Sequence, residues 1–430
     1  MIPTSITDKK IKSIFLTIMI MELIIGGTGK VLYMPIRMLI FGIGLLMIIL
    51  QYKKIKISKS DTILACIVLT YIVAQMLLGG FRGNSLGDIY DDISMYMSLL
   101  YIPIIFVLSD YDKSYPKKIV EMVINGSVII SIVTILVFIW GWILLKFGLG
   151  NPIEILNEFE ENYNYGIITW YLYGGDFIRV YFASGIFMQI ALALLINRNY
   201  VGINKRNDKL KKIIILFGII TSGTRGYWLG AMIVIGLVLI LNFNIDKKTL
   251  RFIFRIICIV GIVALILFSL GMGKDIVERM ITMFDFKGDV SNNTRSIQLN
   301  FLMHEIIQKP LLGWGFGKNV PAYTSFTGRG SRHFELFYFE IIMKIGLIGI
   351  GILITIILYY FYKAYKVIHN LRKNGKYEEQ SIVQGWTIAL ISLFIINATN
   401  PYISGAAGFS IISIYIYILF IFSINKGESV

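Results

Sequence analysis

The chain has 430 residues, 56% hydrophobic and only 16% charged, with a mean hydropathy of +0.72, which excludes a soluble globular domain with a solvated surface. Its formal net charge of +15 would point to nucleic acid in a soluble protein, but the lysines fall in short loops between apolar runs, the pattern of a polytopic membrane protein; no nucleic-acid partner is implied. The two cysteines, Cys66 and Cys258, lie inside apolar runs as small hydrophobes, so no disulfide is expected.

A helix needs about 20 apolar residues to cross a bilayer. Taken in order, such runs lie near 11–27, 31–51, 62–81, 93–109, 119–146 and 180–197, then 252–271, 337–361, 381–399 and 405–424. The first follows Lys9, Lys10 and Lys12 and resembles a signal peptide, but no small-residue cleavage site follows it, and it reads as an uncleaved helix. The interval 211–244 as one helix would be about 50 Å long at 1.5 Å per residue and would put Lys209–Lys212 and Lys247–Arg251 on opposite faces. Splitting it at Thr221–Gly226 puts both basic clusters on one side, as the positive-inside rule prefers. The expected fold class is therefore all-α: a polytopic integral membrane protein with about twelve transmembrane helices, both termini cytoplasmic, and residues 1–430 forming a single transmembrane domain. One long external loop, 272–336, is expected to carry amphipathic helices.

Lysine follows the positive-inside bias under this topology and arginine does not, so external arginines are candidates for a task such as bidentate grip on phosphate. The loop 82–92 carries Asp88, Asp91 and Asp92, and the loop 147–179 carries Glu154, Glu158, Glu160 and Glu161; both read as solvated acidic loop. Aromatics beside glycines follow at Tyr171, Tyr173, Gly174 and Gly175, a pattern that sugar stacking and the membrane interface share. Within the long loop, Lys274–Phe284 and Asn293–Gln308 read as surface-lying amphipathic helices forming a lid. The second is expected to be capped by Asn293 or Thr294, with Leu299, Leu302 and Ile306 as its apolar positions. Gly313–Gly317 reads as a flexible turn.

The densest polar cluster precedes Leu336: Arg329, Arg332, His333 and Glu335 crowd together where an apolar segment is about to resume, and charge at a membrane boundary is costly unless used. His333 beside Arg332 and Glu335 is a candidate acid or base. Arg179 begins a predicted span, Arg225 sits in the tight turn 222–226, and Arg295 lies in the long loop. There is no H-x-x-x-H pair and no cysteine cluster, so no metal site is expected. Only Glu22, Arg37, Glu340 and Lys344 are clearly intramembrane charges, whereas a flippase would line a central cavity with them.

Arg295, then Pro310–Leu311–Leu312–Gly313–Trp314–Gly315–Phe316–Gly317, His333 and Gly346–Leu347–Ile348–Gly349 together resemble the signature of the O-antigen polymerase and O-antigen ligase family. Ser222–Gly223–Thr224–Arg225–Gly226 is similar to its earlier Ser/Thr-Arg-Gly turn. Many members carry Asn directly after the histidine; this chain has Phe334. The resemblance implies a cofactor-free, metal-independent glycosyltransferase at the outer face of the bacterial cytoplasmic membrane, with a glycan on undecaprenyl diphosphate as donor. It also implies membrane lipids and a chain-length regulator and flippase of the same pathway as partners. Carried over, His333 would activate the acceptor hydroxyl, Arg225 and Arg179 would bind the diphosphate, and Arg295, Arg329, Arg332 and Glu335 would complete substrate binding. Polymerase is favoured over ligase, which differs only in acceptor, and over a flippase.

Overall fold

A computed structural model of the chain describes residues 4–29, 35–51, 58–163, 165–172, 177–203, 205–241, 258, 261–262, 265, 268–269, 290–328, 330 and 333–423. The expected span 252–271 lies almost wholly outside these residues, and the expected helix Lys274–Phe284 lies entirely outside them. The described chain is mostly helical, and six helical stretches are long and apolar enough to cross a membrane: Lys59–Phe81, Leu86–Ser109, Tyr115–Lys146, Phe337–Lys373, Tyr377–Ile396 and Ala406–Ser423. It divides into two compact units, one of Met1–Gly44, Asp112–Asp285 and Asn370–Leu393, the other of Leu45–Tyr111, Phe286–His369 and Phe394–Val430.

The first unit contains α1 (Thr4–Ile25), the start of α2 (Ile36–Gln51), α6 (Tyr115–Lys146), α7 (Pro152–Tyr163), a hairpin of β1 (Ile167–Leu172) and β2 (Phe177–Phe182), α8 (Ile186–Tyr200), α9 (Asp208–Thr221), α10 (Arg225–Leu241) and most of α14 (Tyr377–Ile396). Helix α8 is buried on every side from Ile186 to Arg198, as expected of a helix that is apolar all round. Neutral hydrogen bonds tie its neighbours to it. Ser127 Oγ donates to the Phe187 carbonyl at 2.8 Å, Gln189 Nε2 to Ser392 Oγ at 2.7 Å, and Asn197 Nδ2 to the Ser381 carbonyl at 2.9 Å. Small residues let the helices approach: a Cβ at Gly218 would lie 2.7 Å from that of Ser131. The split within 211–244 is observed, with α9 ending at Thr221 and α10 beginning at Arg225.

The expected span 180–197 is corrected at its start, because Phe177–Phe182 is a strand paired antiparallel with β1, Ile167 opposite Phe182 and Trp170 opposite Arg179. Ile178, Val180 and Phe182 are buried together with Ile167. That alternation has the period of two that a strand requires. The Glu160 carboxylate of α7 accepts from the backbone N–H groups of Gly166 and Ile167, anchoring the hairpin at its entry.

The second unit contains α3 (Lys59–Phe81), α4 (Leu86–Ser94), a 3₁₀ turn at Tyr96–Leu100 leading into α5 (Tyr101–Ser109), α11 (Val290–Gln308), α12 (Pro321–Thr327), α13 (Phe337–Lys373) up to His369, and α15 (Ala406–Ser423). Helix α4 replaces the loop expected at 82–92; Ser85 caps it by accepting from the Asp88 N–H. Helix α11 starts at Val290, ahead of the expected caps Asn293 and Thr294. Its Leu302 and Ile306 are buried as expected, in a cluster with Val320, Tyr323, Phe334, Leu336 and Met343, and Leu299 packs against that cluster.

Candidate active site

The site grows out of a break in α13. Gly346 has φ 67° and ψ −179°, values open to glycine, and the helix loses its own i→i+4 bonds there. The segment Pro310–Gly317 replaces them. Leu347 and Ile348 donate to the carbonyls of Pro310 and Leu311 at 2.9 and 3.1 Å, while the carbonyls of Met343 and Lys344 accept from Trp314 and Gly315 at 2.8 and 2.9 Å. Helix and loop thus exchange hydrogen bonds, which satisfies these backbone groups where lipid offers no partner. Tyr71 Oη donates to the Ile345 carbonyl at 2.7 Å, Gln75 Nε2 to that of Leu312 at 3.2 Å, and the Arg82 guanidinium to that of Gly313.

The expectation of a flexible turn at Gly313–Gly317 is therefore corrected. A Cβ at Gly313 would lie 2.4 Å from the Lys344 carbonyl oxygen, and one at Gly315 would lie 2.3 Å from the Gly79 nitrogen. The glycines serve backbone-to-backbone contact.

This wedge fixes Lys344 one turn above Glu340. The Lys344 ammonium lies 2.8 Å from Asp92 Oδ1 and 2.6 Å from Glu340 Oε1, and all three side chains are buried. Asp92 Oδ2 accepts from the Gly317 N–H at 2.7 Å, and Glu340 Oε2 from the Phe334 N–H at 2.8 Å. His333 Nδ1 stands 3.5 Å from Glu340 Oε1, with its side chain 58% exposed. A cleft with about 410 Å³ of empty space, part of it open to solvent, runs past His333, Glu340, Lys344, Asp91 and Asp92 and is otherwise walled by apolar and aromatic side chains such as Tyr96, Phe316 and Phe337.

Of the predicted site residues in this unit, the structure pairs Arg295 with Glu335, two residues past His333. Arg295 Nη2 pairs with Glu335 Oε2 at 2.9 Å, and the Glu335 N–H donates to Gln298 Oε1 at 3.0 Å. Arg329 and Arg332 lie outside the described residues. Phe334, which replaces the family's Asn, is a core residue, 1% exposed and edge-on to Tyr323 with ring centroids 5.3 Å apart. Its backbone rather than its side chain reaches the site.

In the first unit, Arg225 is the first residue of α10, where the helix's N-terminal amides add positive potential to its guanidinium. The turn before it is locked: Ser222 Oγ donates to the Ile219 carbonyl at 2.7 Å, and Gly223 has φ 62°. Arg179 on β2 lies with its guanidinium 5.8 Å from the Tyr181 ring, and its Nε is buried without a hydrogen-bond partner among the described residues. Tyr181 in turn stacks on Tyr227, two residues past Arg225, at 5.8 Å. Burial pushes the Tyr181 phenol above its usual pKa, so it stays protonated as a donor.

Asp92, His333 and Glu340 bring one ligand atom each within 4.8 Å of one another, a spacing that could hold a metal ion. The Lys344 ammonium already stands in contact with both carboxylates, in the place between them that a metal ion would take, and offsets one of their two charges.

Residues 212–354 match the model of a family described as O-antigen ligase. The chain also aligns with an O-antigen polymerase of Shigella flexneri at 25% identity over 435 residues, covering 97% of this chain and 96% of that protein. Both comparisons make the chain similar to O-antigen polymerases and ligases. The six long apolar helices fit a multi-pass membrane protein. The stretch that matches the O-antigen ligase family takes in Arg225, Arg295, His333, Glu340 and Lys344 and leaves Arg179 and Asp92 outside it.

The sequence reading passed over three residues of the cluster. Glu340 and Lys344 carried a signal, since an i,i+4 pair of opposite charges inside an apolar helix marks a functional position. Asp92 carried none: it was read with its acidic neighbours as solvated loop, whereas the structure buries it to 3% exposure.

Proposed function

We propose that this protein polymerises repeat units of an O-antigen, capsular or exopolysaccharide at the outer face of the bacterial cytoplasmic membrane, with an undecaprenyl-diphosphate-linked glycan as donor. The observation that carries the choice of polymerase over ligase is the end-to-end alignment with an O-antigen polymerase, which extends well beyond the ligase-type stretch. A flippase is disfavoured by the same alignment, and because the buried charges of the second unit are committed to one another.

In this reading His333 takes the proton of the acceptor hydroxyl as that oxygen bonds to the donor's anomeric carbon, and the bond from that carbon to the diphosphate oxygen breaks. Undecaprenyl diphosphate leaves with the bonding electron pair. Arg225 and Arg179 are assigned to the diphosphate, whose departure needs preorganised positive charge; Arg295, Arg329, Arg332 and Glu335 are assigned to the substrate. No metal is invoked, because the Lys344 ammonium already stands between the carboxylates that would bind one, so activity should survive EDTA. Both termini are cytoplasmic, and a reporter fused at Asn319 should register outside while one at Lys205 registers cytoplasm.

The deciding experiment is the lipid-linked glycan that accumulates in a deletion strain. Single repeats on undecaprenyl diphosphate support a polymerase; full-length chains left on it would reassign the protein as a ligase.

A further inference from the structure

We infer that Glu340 is a positioning residue that acts through His333, an inference that rests on His333 being the base. Three observations carry it. The carboxylate is held from two sides, by the Phe334 N–H on Oε2 at 2.8 Å and by the Lys344 ammonium on Oε1 at 2.6 Å. The same Oε1 faces His333 Nδ1 at 3.5 Å. An ionised carboxylate only accepts, so it selects the tautomer with the proton on Nδ1 and leaves the lone pair on Nε2, the nitrogen a base must use. Phe334 directly follows His333, and its ring is anchored in the Tyr323 cluster, so one carboxylate grips both the imidazole and the main chain that carries it.

The charges agree with this geometry. Asp92 and Glu340 together carry two negative charges against the single positive charge of Lys344. A purely structural buried cluster would be expected to close neutral, because uncompensated buried charge is expensive. Here the excess negative charge lies beside the ring that becomes imidazolium once the acceptor proton arrives, so the cluster stabilises the charge that the reaction creates. The Pro310–Gly317 wedge contributes by holding Lys344 and Asp92 in register with that carboxylate. An amide cannot substitute at this position. Oε1 faces two donors and Oε2 faces one, so either orientation of a glutamine points its NH₂ at another donor.

The test is a double-mutant cycle of Glu340→Gln and His333→Ala, reading turnover per mole of folded protein with purified lipid-linked repeat. A residue acting only through the histidine loses its effect when the histidine is gone. Glu340→Gln is expected to lower turnover roughly 10²-fold beside His333 and to change it less than about twofold in the His333→Ala background. Equal losses in both backgrounds would overturn the inference while leaving His333 as the base. Near wild-type turnover in His333→Ala would withdraw the base reading itself, and this inference with it. If Glu340→Gln does not accumulate as folded protein, Glu340→Asp enters the same cycle; it keeps the charge for Lys344 but withdraws the carboxylate from Nδ1. In protein labelled with ¹⁵N-histidine, with the His333 signals assigned by their loss in His333→Ala, the Nδ1–H tautomer should dominate in the parent chain and give way to a mixture in Glu340→Gln. An unchanged tautomer would also overturn the inference.

Discussion

The two units bury polarity in different ways. In the middle of the first, polar side chains are neutral and each spends its hydrogen bonds on a neighbouring helix: Ser127 on Phe187, Gln189 on Ser392, Ser392 on Gly230. Its buried ionic group Arg198, paired with Glu121 and Asp208, sits where α8 ends and α9 begins. The second unit instead breaks a membrane helix and places Asp92, Glu340 and Lys344 at the break, next to an exposed histidine. Neutral bonds of the first kind fix helix packing and cost little. Buried charge at a helix break is expensive, and its position beside His333 supports the proposal that the second unit holds the proton-transfer group.

Five substitutions, with Gly351→Ala as a control, would break or sharpen this contrast, and they are ordered by the size of effect expected. His333→Ala should lower turnover by roughly 10²–10⁴-fold while donor binding, measured on the same folded sample, persists; Arg225→Lys should instead weaken donor binding, because an ammonium cannot reproduce a bidentate guanidinium grip. Retained turnover in His333→Ala would leave the second unit's charges without a task.

Lys344→Met leaves two buried carboxylates facing each other and should destabilise the second unit by about 3–5 kcal/mol, visible as a lower melting temperature in detergent. Stability equal to the parent chain would show that the cluster is not an interdependent ionic group. Gly315→Ala comes next: its Cβ would meet the Gly79 nitrogen at 2.3 Å, in a residue with φ +79°, so folded yield should fall, whereas Gly351→Ala, with nothing within 4 Å, should be silent. Equal yields of the two variants would restore the flexible turn. The smallest effect belongs to the first unit, where Gln189→Leu removes one neutral hydrogen bond and should cost about 1 kcal/mol, measured by the same melts.

Much of the helical layout was legible because apolar run length and the lysine pattern are strong signals in a membrane protein. The break between α9 and α10 was found from charge alone. The hairpin was missed because Phe177–Phe182 runs into the apolar Ile186–Ile196 without a polar break, and hydropathy over a long window averages away an alternation of two. At the site, His333 and Glu335 were legible because they crowd with Arg329 and Arg332 in sequence, and Arg295 because it is an arginine in an external loop, against the positive-inside bias. The link between Asp92 and Lys344 spans 252 positions, and no local pattern encodes it. The glycines of Gly313–Gly317 were visible, but their purpose depends on Gly79 and Gly346, which only the folded chain brings near.

The exchange of hydrogen bonds between Pro310–Gly317 and α13 also dictates an order of assembly. Tyr71 and the Ile345 carbonyl it binds are 274 residues apart, so at about 5–20 residues per second α3 is synthesised roughly 15–55 s before its partner exists. Through that interval Tyr71, Gln75 and Arg82 lack the acceptors that Ile345, Leu312 and Gly313 later supply. The loop precedes α13 immediately and can close on it as soon as both emerge, whereas the polar side chains of α3 meet their acceptors only once the last third of the chain is made.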